Sequence, residues 1–233
     1  LPYPPNKGDK VRTYHLLRYL SARHRVFLGT FVDDPEDLAH VEKVRAMCAG
    51  LHVGRINPAL GKIASLRGLL DGRALTLPYY EDAALRSWLR DTIRREKIDA
   101  ALLFSSAMSQ YGDEVPAIPK LAIFDDVDSA KWAEYARHHA WPMSWIYARE
   151  GRRLLEFERA AAGASTCTFF VTRKEAEFFL SLAPECDGKV GVISNGVDAD
   201  YFSPEHELVS PFEPDEKALV FTGAMDYWPN ADA

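Results

Sequence analysis

Long apolar runs are missing from this sequence. No stretch approaches the ~20 residues that carry a helix across a bilayer, so no membrane-spanning helix is expected. Cysteine is scarce, with three in 233 residues. Cys48, Cys167 and Cys186 are far apart, odd in number and in no C-x-x-C spacing. That fits reduced thiols better than a disulfide framework or a zinc site. Positive charge is also short: 28 Lys and Arg against 34 Asp and Glu leave a net charge of -6. An acidic balance argues against nucleic acid as the main partner, because phosphate backbones select basic surface. Internal repeats and low-complexity tracts are absent. The opening "LPYPPNKGDK" has neither a methionine nor the apolar core of a secretion signal. The expectation is a cytoplasmic chain, numbered from inside a longer one.

What is present is regular. Hydrophobic residues make up 47% of the chain, enough for a sizeable core. Six apolar runs of β type alternate with helical patterns: Arg25–Val32, Leu51–Ile56, Asp99–Phe104, Leu121–Phe124, Cys167–Val171 and Val190–Ile193. This alternation predicts an α/β fold with a doubly wound parallel sheet. "IDAALLF" and "CTFFV" are continuous rather than alternating, as expected of strands covered by helices on both faces. Between the runs, Lys10–Arg23, the segment around Leu85, Trp88, Leu89 and Ile93, and Met143–Ala162 have helical spacing. A β–α unit needs a strand before Gly8, and none is written, so the first strand is expected to be absent. "SPEHELVSPFEPDEK", Ser203 to Lys217, holds three prolines among acids and reads as a linker. The apolar run Ala218–Phe221 after it reads as the opening strand of a second domain.

Three loops carry candidate chemistry. In "PYPPNKGDKVR", Gly8 permits a tight turn and Asp9 is placed to cap a helix beginning near Lys10. Free amides there, with Lys7, Lys10 and Arg12 close by, suit a phosphate or a developing anion. An ordinary capped helix explains the same residues. In "FDDVDSAKW", Asp126 and Asp128 have a D-x-D spacing that can hold a divalent cation. Asp128 or Ser129 serves equally as the N-cap of the following helix. Capping and strand-end polar contacts are the favoured reading, and no metal is expected. In "ISNGVDADYFSP", Asn195-Gly196 is a turn dipeptide that tolerates positive φ, Asp198 caps a short turn, and Phe202 is an apolar anchor. Thr172 to Glu175 forms a capping box, each side chain satisfying an amide of the helix start.

"PYPPNKGDKVR", "CTFFVTRKEAEFF", "VISNGVDADYFSP" and "LVFTGAMDYWPNADA", taken in order, resemble retaining glycosyltransferases of the GT-B architecture. Within these the chain is similar to the glycosyltransferase group 1/family 4 type, in particular bacterial enzymes of exopolysaccharide and exosortase systems. The resemblance implies a Rossmann-like acceptor-binding domain over residues 1–202, a linker over 203–217 and the start of a donor-binding domain over 218–233. It implies transfer of a sugar from a nucleoside-diphosphate donor to an acceptor hydroxyl, with retention and without a metal cofactor. Gly8, Asp9, Lys10 and Arg12 would meet the donor phosphate or sugar. Ser105, Ser106, Asp126 and Asp128 would meet a glycan or lipid-linked acceptor. Thr172, Glu175, Asn195, Gly196 and Gly223 would line the interdomain cleft.

Two departures stand out. The first loop has Gly8-Asp9 where many relatives have a glycine pair. "LLFSSAMSQY" supplies serines where many carry a histidine, and a hydroxyl is no general base unaided. A sugar- or nucleotide-binding module without catalysis is therefore the second reading, and a metal-dependent transferase using Asp126 and Asp128 the third. The paired-glutamate motif that grips the donor in relatives would lie beyond Ala233. On that basis the chain alone is expected to be inactive.

Several aromatic and amphipathic features fit two roles. Trp132, Tyr135, Trp141, Trp145 and Tyr147 read as core in preference to a stacking surface. His138 and His139 read as a solvated helix face. "PALGKIASLRGLLDGR" sets Leu60, Ile63 and Leu70 apart from Lys62, Arg67 and Arg73. That stripe suits either a sheet-packing helix or peripheral contact with an anionic membrane, such as the inner face of the plasma membrane.

Overall fold

The computed structural model describes residues 1–220 apart from Pro116, Pro204, Glu207, Leu208 and Pro214. Two compact units are found, Leu1–Gly196 and Val197–Ala233. The first holds all six expected strands, and every pairing is parallel. Strands β1 (Phe27–Val32) and β2 (Gly50–Arg55) pair with Phe27 opposite Gly50 and Val32 opposite Arg55. Strands β3 (Ala101–Phe104), β4 (Lys120–Asp125), β5 (Cys167–Phe170) and β6 (Val190–Val192) follow one another in spatial order.

The expected α/β fold with parallel strands is present. The strands are hydrogen-bonded as a pair and a quartet, which leaves β1, β2, β3 and β6 each with one edge unpaired among the described residues. Leu102 on β3 is 39% exposed, so the "IDAALLF" strand is not covered on both faces.

The quartet owns the main apolar core. Ala122 and Phe124 point to one face of β4 and join Phe170 of β5. Helix α9 (Arg173–Leu182) brings Ala176 and Phe179 down on them, and the long helix α8 (Met143–Ala164) adds Ala162. Phe124, Phe170 and Phe179 form a closed aromatic trio with centroids 5.0–6.3 Å apart. Helix α7 (Asp128–Arg137) lies along α8. The crossing is close enough that a Cβ on Gly151 would sit 2.9 Å from the Ser129 carbonyl. Trp132, Tyr135, Tyr147 and His139 cluster at this hairpin, with Trp132 packed against a smaller core of Ala74, Leu77 and Leu154. Trp141 and Trp145 do not join them: they are 81% and 53% exposed, and the expectation that they are core is corrected.

The remaining α-helices described in this unit are α1 (Gly8–Ser21), α2 (Val41–Arg45), α3 (Pro58–Ser65), α4 (Arg67–Asp71), α5 (Thr76–Tyr79) and α6 (Ala83–Glu96). The cysteines are free. No helix among the described residues is long and apolar enough to cross a membrane.

In the second unit the described residues form turns and irregular backbone. Asp198 behaves as expected, its carboxylate accepting from the Tyr201 amide at 3.1 Å. Phe202 does not: it is 68% exposed, with its ring edge-on to that of Tyr201. Ala218, Leu219 and Val220 are exposed and in no strand, and Phe221 and Gly223 lie outside the described residues.

Candidate functional site

The C-terminal ends of β3 and β4 leave the sheet through strained backbone. Ser105 (φ 76°) and Asp125 (φ 64°) occupy the left-handed region without being glycine. The β4–β5 register skips Phe124, so that Ile123 faces Phe169 and Asp125 faces Phe170. A bulge of this kind bends the strand and re-aims the side chain that follows it. Here it gathers Asp125, Asp126 and Asp128 at one edge, where conformational strain is typically found at functional loops.

Arg12 reaches that edge from the first turns of α1. Its guanidinium donates to the Asp125 carboxylate and, at 2.8 Å, to the Ile193 carbonyl just past β6. It also lies 6.0 Å from the Phe104 ring at the end of β3. One cation thus connects α1 to the ends of three strands. Burial lifts the Asp125 pKa above the ordinary carboxylate value; Arg12 opposes this, while Asp126 and Asp128 add to it.

The start of α1 differs from expectation. The helix begins at Gly8, with Lys7 at the N-cap and no side-chain cap, so Asp9 stands inside the first turn and caps nothing. Gly8 makes no tight turn either: it has no positive φ, and a Cβ there would touch nothing within 4 Å. Val11 donates to the Lys7 carbonyl at 2.8 Å, whereas the amides of Gly8, Asp9 and Lys10 find no acceptor among the described residues. Lys10 turns away to Asp37 at 2.6 Å. Of the four residues expected at the donor phosphate, Gly8 and Asp9 are open, and Lys10 and Arg12 are already engaged.

The loop between β4 and α7 is held from several sides. Lys131 bridges Asp126 at 2.9 Å and Asp128 at 3.2 Å. Burial works against the ammonium, but the two carboxylates outweigh it and raise its pKa. Ser106 donates to Asp128 at 2.7 Å and is fully buried, so its hydroxyl is spent within the protein. Ser105 is half-buried, with a hydroxyl that has no partner among the described residues.

Capping of α7 by Asp128 or Ser129 is corrected: neither side chain caps it. Glu158 of α8 accepts from the Ser129 amide at 3.2 Å and the Ser129 hydroxyl at 2.6 Å. Glu175 of α9 accepts from the Val127 amide at 3.2 Å. The capping box is therefore half formed. Thr172 accepts from the Glu175 amide at 3.1 Å, but the glutamate side chain serves the neighbouring loop. Asn195 and Gly196 are exposed, and Gly196 has no positive φ, which corrects the turn assigned to that dipeptide.

Asp125, Lys131, Glu158 and Tyr80 were not singled out in the sequence. Asp125 had one signal, its place beside Asp126 at a strand end. Tyr80 is raised in pKa chiefly by burial, with Tyr79, Asp33, Asp128 and Asp9 adding to it. Among the described residues no group of three or more His, Cys, Asp or Glu converges as metal ligands. Surface cavities of about 230 and 400 Å³ include none of Arg12, Asp125, Asp126 or Asp128. The cluster is thus an open, carboxylate-rich edge with two bridging cations. It can accept hydrogen bonds from hydroxyls, and the bare amides of α1 beside it can donate to an anion. No protein-family model matches the chain, and comparison with curated proteins finds no relative.

Proposed function

We propose that this chain forms the acceptor side of a retaining glycosyltransferase that uses a nucleoside-diphosphate sugar, in exopolysaccharide or other cell-surface glycan synthesis. The observation that carries the reading is the strand-end cluster: Arg12, Asp125, Asp126 and Asp128 beside the uncapped start of α1. Ligands of parallel α/β sheets bind at the carboxyl ends of strands, where this cluster lies. The resemblance of the glycine loop and the "NGVD" exit to the family supports the same assignment.

In such a transfer the leaving diphosphate gains charge while the sugar becomes oxocarbenium-like. Fixed amides lower that barrier without reorganising, and losing one such donor typically costs ~3 kcal/mol. The amides of Gly8 and Asp9 would serve the diphosphate, and Asp126, Asp128 and Ser105 the acceptor hydroxyls. The absence of a histidine among the residues bonded to this cluster favours, as second reading, a sugar- or nucleotide-binding module.

The experiment is ligand-observed and amide-shift NMR on the 233-residue chain with UDP, GDP, ADP and inorganic diphosphate. Weak binding with shifts confined to the Gly8–Arg12 and Ser105–Asp128 amides supports the reading. Shifts confined to other segments overturn it, and so does robust sugar transfer by the 233-residue chain alone, because the residues that grip the donor are expected beyond Ala233. Product formation from donor sugars by the full-length protein separates the transferase from the binding module.

A further inference from the structure

Helices α3 and α4 are turned inside out. Gly61 and Gly68 face inward, where added Cβ atoms would meet Tyr79 at 2.8 Å and the Arg73 carbonyl at 3.1 Å. The large apolar side chains face the other way: Leu60 is 64% exposed, Ile63 65%, Leu66 53% and Leu70 91%. Helix α3 contributes no buried residue at all. A sheet-packing helix does the opposite, sinking its leucines and exposing its small residues. Small residues inward let α3 and α4 lie close to the protein while a row of leucines points away from it.

A second element with exposed aromatic side chains lies beside α4. Arg149 of α8 donates to the carbonyls of Gly68 at 2.6 Å and Arg73 at 3.1 Å, which fastens the start of α8 beside α4. One turn before Arg149, on the same helical face, stands Trp145, and Trp141 precedes it in the loop. Both are mostly exposed. Tryptophan with an apolar body and one polar N–H suits the headgroup level of a bilayer.

Charge selects among possible occupants. Between residues 55 and 73 stand Arg55, Lys62, Arg67 and Arg73 against Asp71 alone, in a chain whose net charge is -6. Asp71 is matched by Arg73, and Arg55, Lys62 and Arg67 make no ion pair among the described residues. A second copy docking through the same face would match the leucines but set Lys62 and Arg67 against the same cations, because a two-fold interface brings one patch against itself. An anionic membrane offers apolar chains and negative charge together. We infer that the α3–α4 face with Trp141 and Trp145 is a peripheral docking surface for an anionic phospholipid bilayer. This goes beyond the proposed transferase and does not depend on it.

The test is co-sedimentation of the 233-residue chain with phosphatidylcholine vesicles, with and without about a third phosphatidylglycerol. The chain should pellet only with the anionic vesicles, less so as salt rises, with tryptophan emission moving to the blue. Leu60→Glu with Ile63→Glu, and separately Lys62→Glu with Arg67→Glu, should each weaken binding by about tenfold or more. Both pairs lie on the surface, so unchanged thermal melts will show that the fold is intact. Absent binding, equal binding to neutral and anionic vesicles, or a dimer abolished by Leu60→Glu with Ile63→Glu would each overturn the inference.

Discussion

The quartet β3–β6 and the region around α3 and α4 treat the same kinds of residue in opposite ways. In the quartet, large apolar side chains close on one another: Phe170 and Phe179 have no exposure, and the buried Ser106 hydroxyl is bonded inward to Asp128. Around α3 the small residues are inside and the leucines outside. The difference teaches where the fold's stability comes from. Burial of apolar area is the dominant favourable term, and it is concentrated under α8 and α9. The α3–α4 face adds little to it and is left as surface.

The largest effect should come from the quartet's centre. Phe179→Ala removes one member of the aromatic trio and leaves a cavity, which should destabilise the chain by about 3–5 kcal/mol in urea unfolding. Ile63→Ala, on the exposed row, should stay within about 0.5 kcal/mol of the parent. Equal losses for the two substitutions would erase the contrast between the regions.

Next in size is a pH effect built into α8. Glu150 and Glu158 are both buried, and both accept from helix-start amides, Glu150 from Leu75 at 2.5 Å and Thr76 at 2.9 Å. Burial lifts Glu158 to about 7 from an ordinary 4.5, against the pull of its bonds to Ser129. The folded chain therefore holds that proton more tightly than the unfolded chain. The stability it gives is complete below pH 4.5 and is lost as pH rises through about 7. The swing is on the order of 3 kcal/mol. Glu158→Gln keeps one acceptor for the Ser129 amide and cannot ionise, so its stability should be flat across that window. Urea midpoints between pH 4 and pH 8 should show the parent declining relative to the variant; parallel curves would remove Glu158 as the cause.

How much of this was legible follows from the range of each interaction. The six strands, α8 and the Thr172 cap are set by local period and turn chemistry, and the sequence displays them. Glu158 and Glu150 are ordinary helix glutamates in sequence. Their partners, Ser129 and Thr76, lie far off along the chain, and no local pattern marks a cap supplied at that distance. Ser105 and Asp125 were hidden for another reason. Left-handed backbone is signalled most strongly by glycine or asparagine; Ser105 carries no such signal, and Asp125 only the weaker one of an aspartate. Leu60 and Ile63 gave the correct amphipathic stripe, but periodicity names two faces without saying which one is inside.

A smaller loss is expected at the strand ends. Arg12→Ala leaves Asp125 half-buried with no cation and frees the Ile193 carbonyl, which should cost about 1–3 kcal/mol. Arg12→Lys keeps the charge but cannot span both acceptors, so it should fall between the two. A thermal melt that does not separate the three proteins would show that the cluster contributes nothing to the fold.

The smallest effect on stability is the most informative about function. Gly8 has ordinary backbone geometry and open space where a Cβ would stand, so Gly8→Ala should change the melting temperature by no more than about 0.5 kcal/mol allows. A fold indifferent to a side chain at that position still presents the Gly8 amide at the mouth of α1, beside Arg12. If diphosphate is held there, a methyl group should weaken its binding several-fold, and Gly8→Val should weaken it further while the melts stay together. Binding that follows Arg12→Ala but ignores Gly8→Val would move the anion off the helix start and onto the guanidinium alone. Stability would then be governed by the quartet and ligand contact by one side chain, with the backbone of α1 serving only as its support.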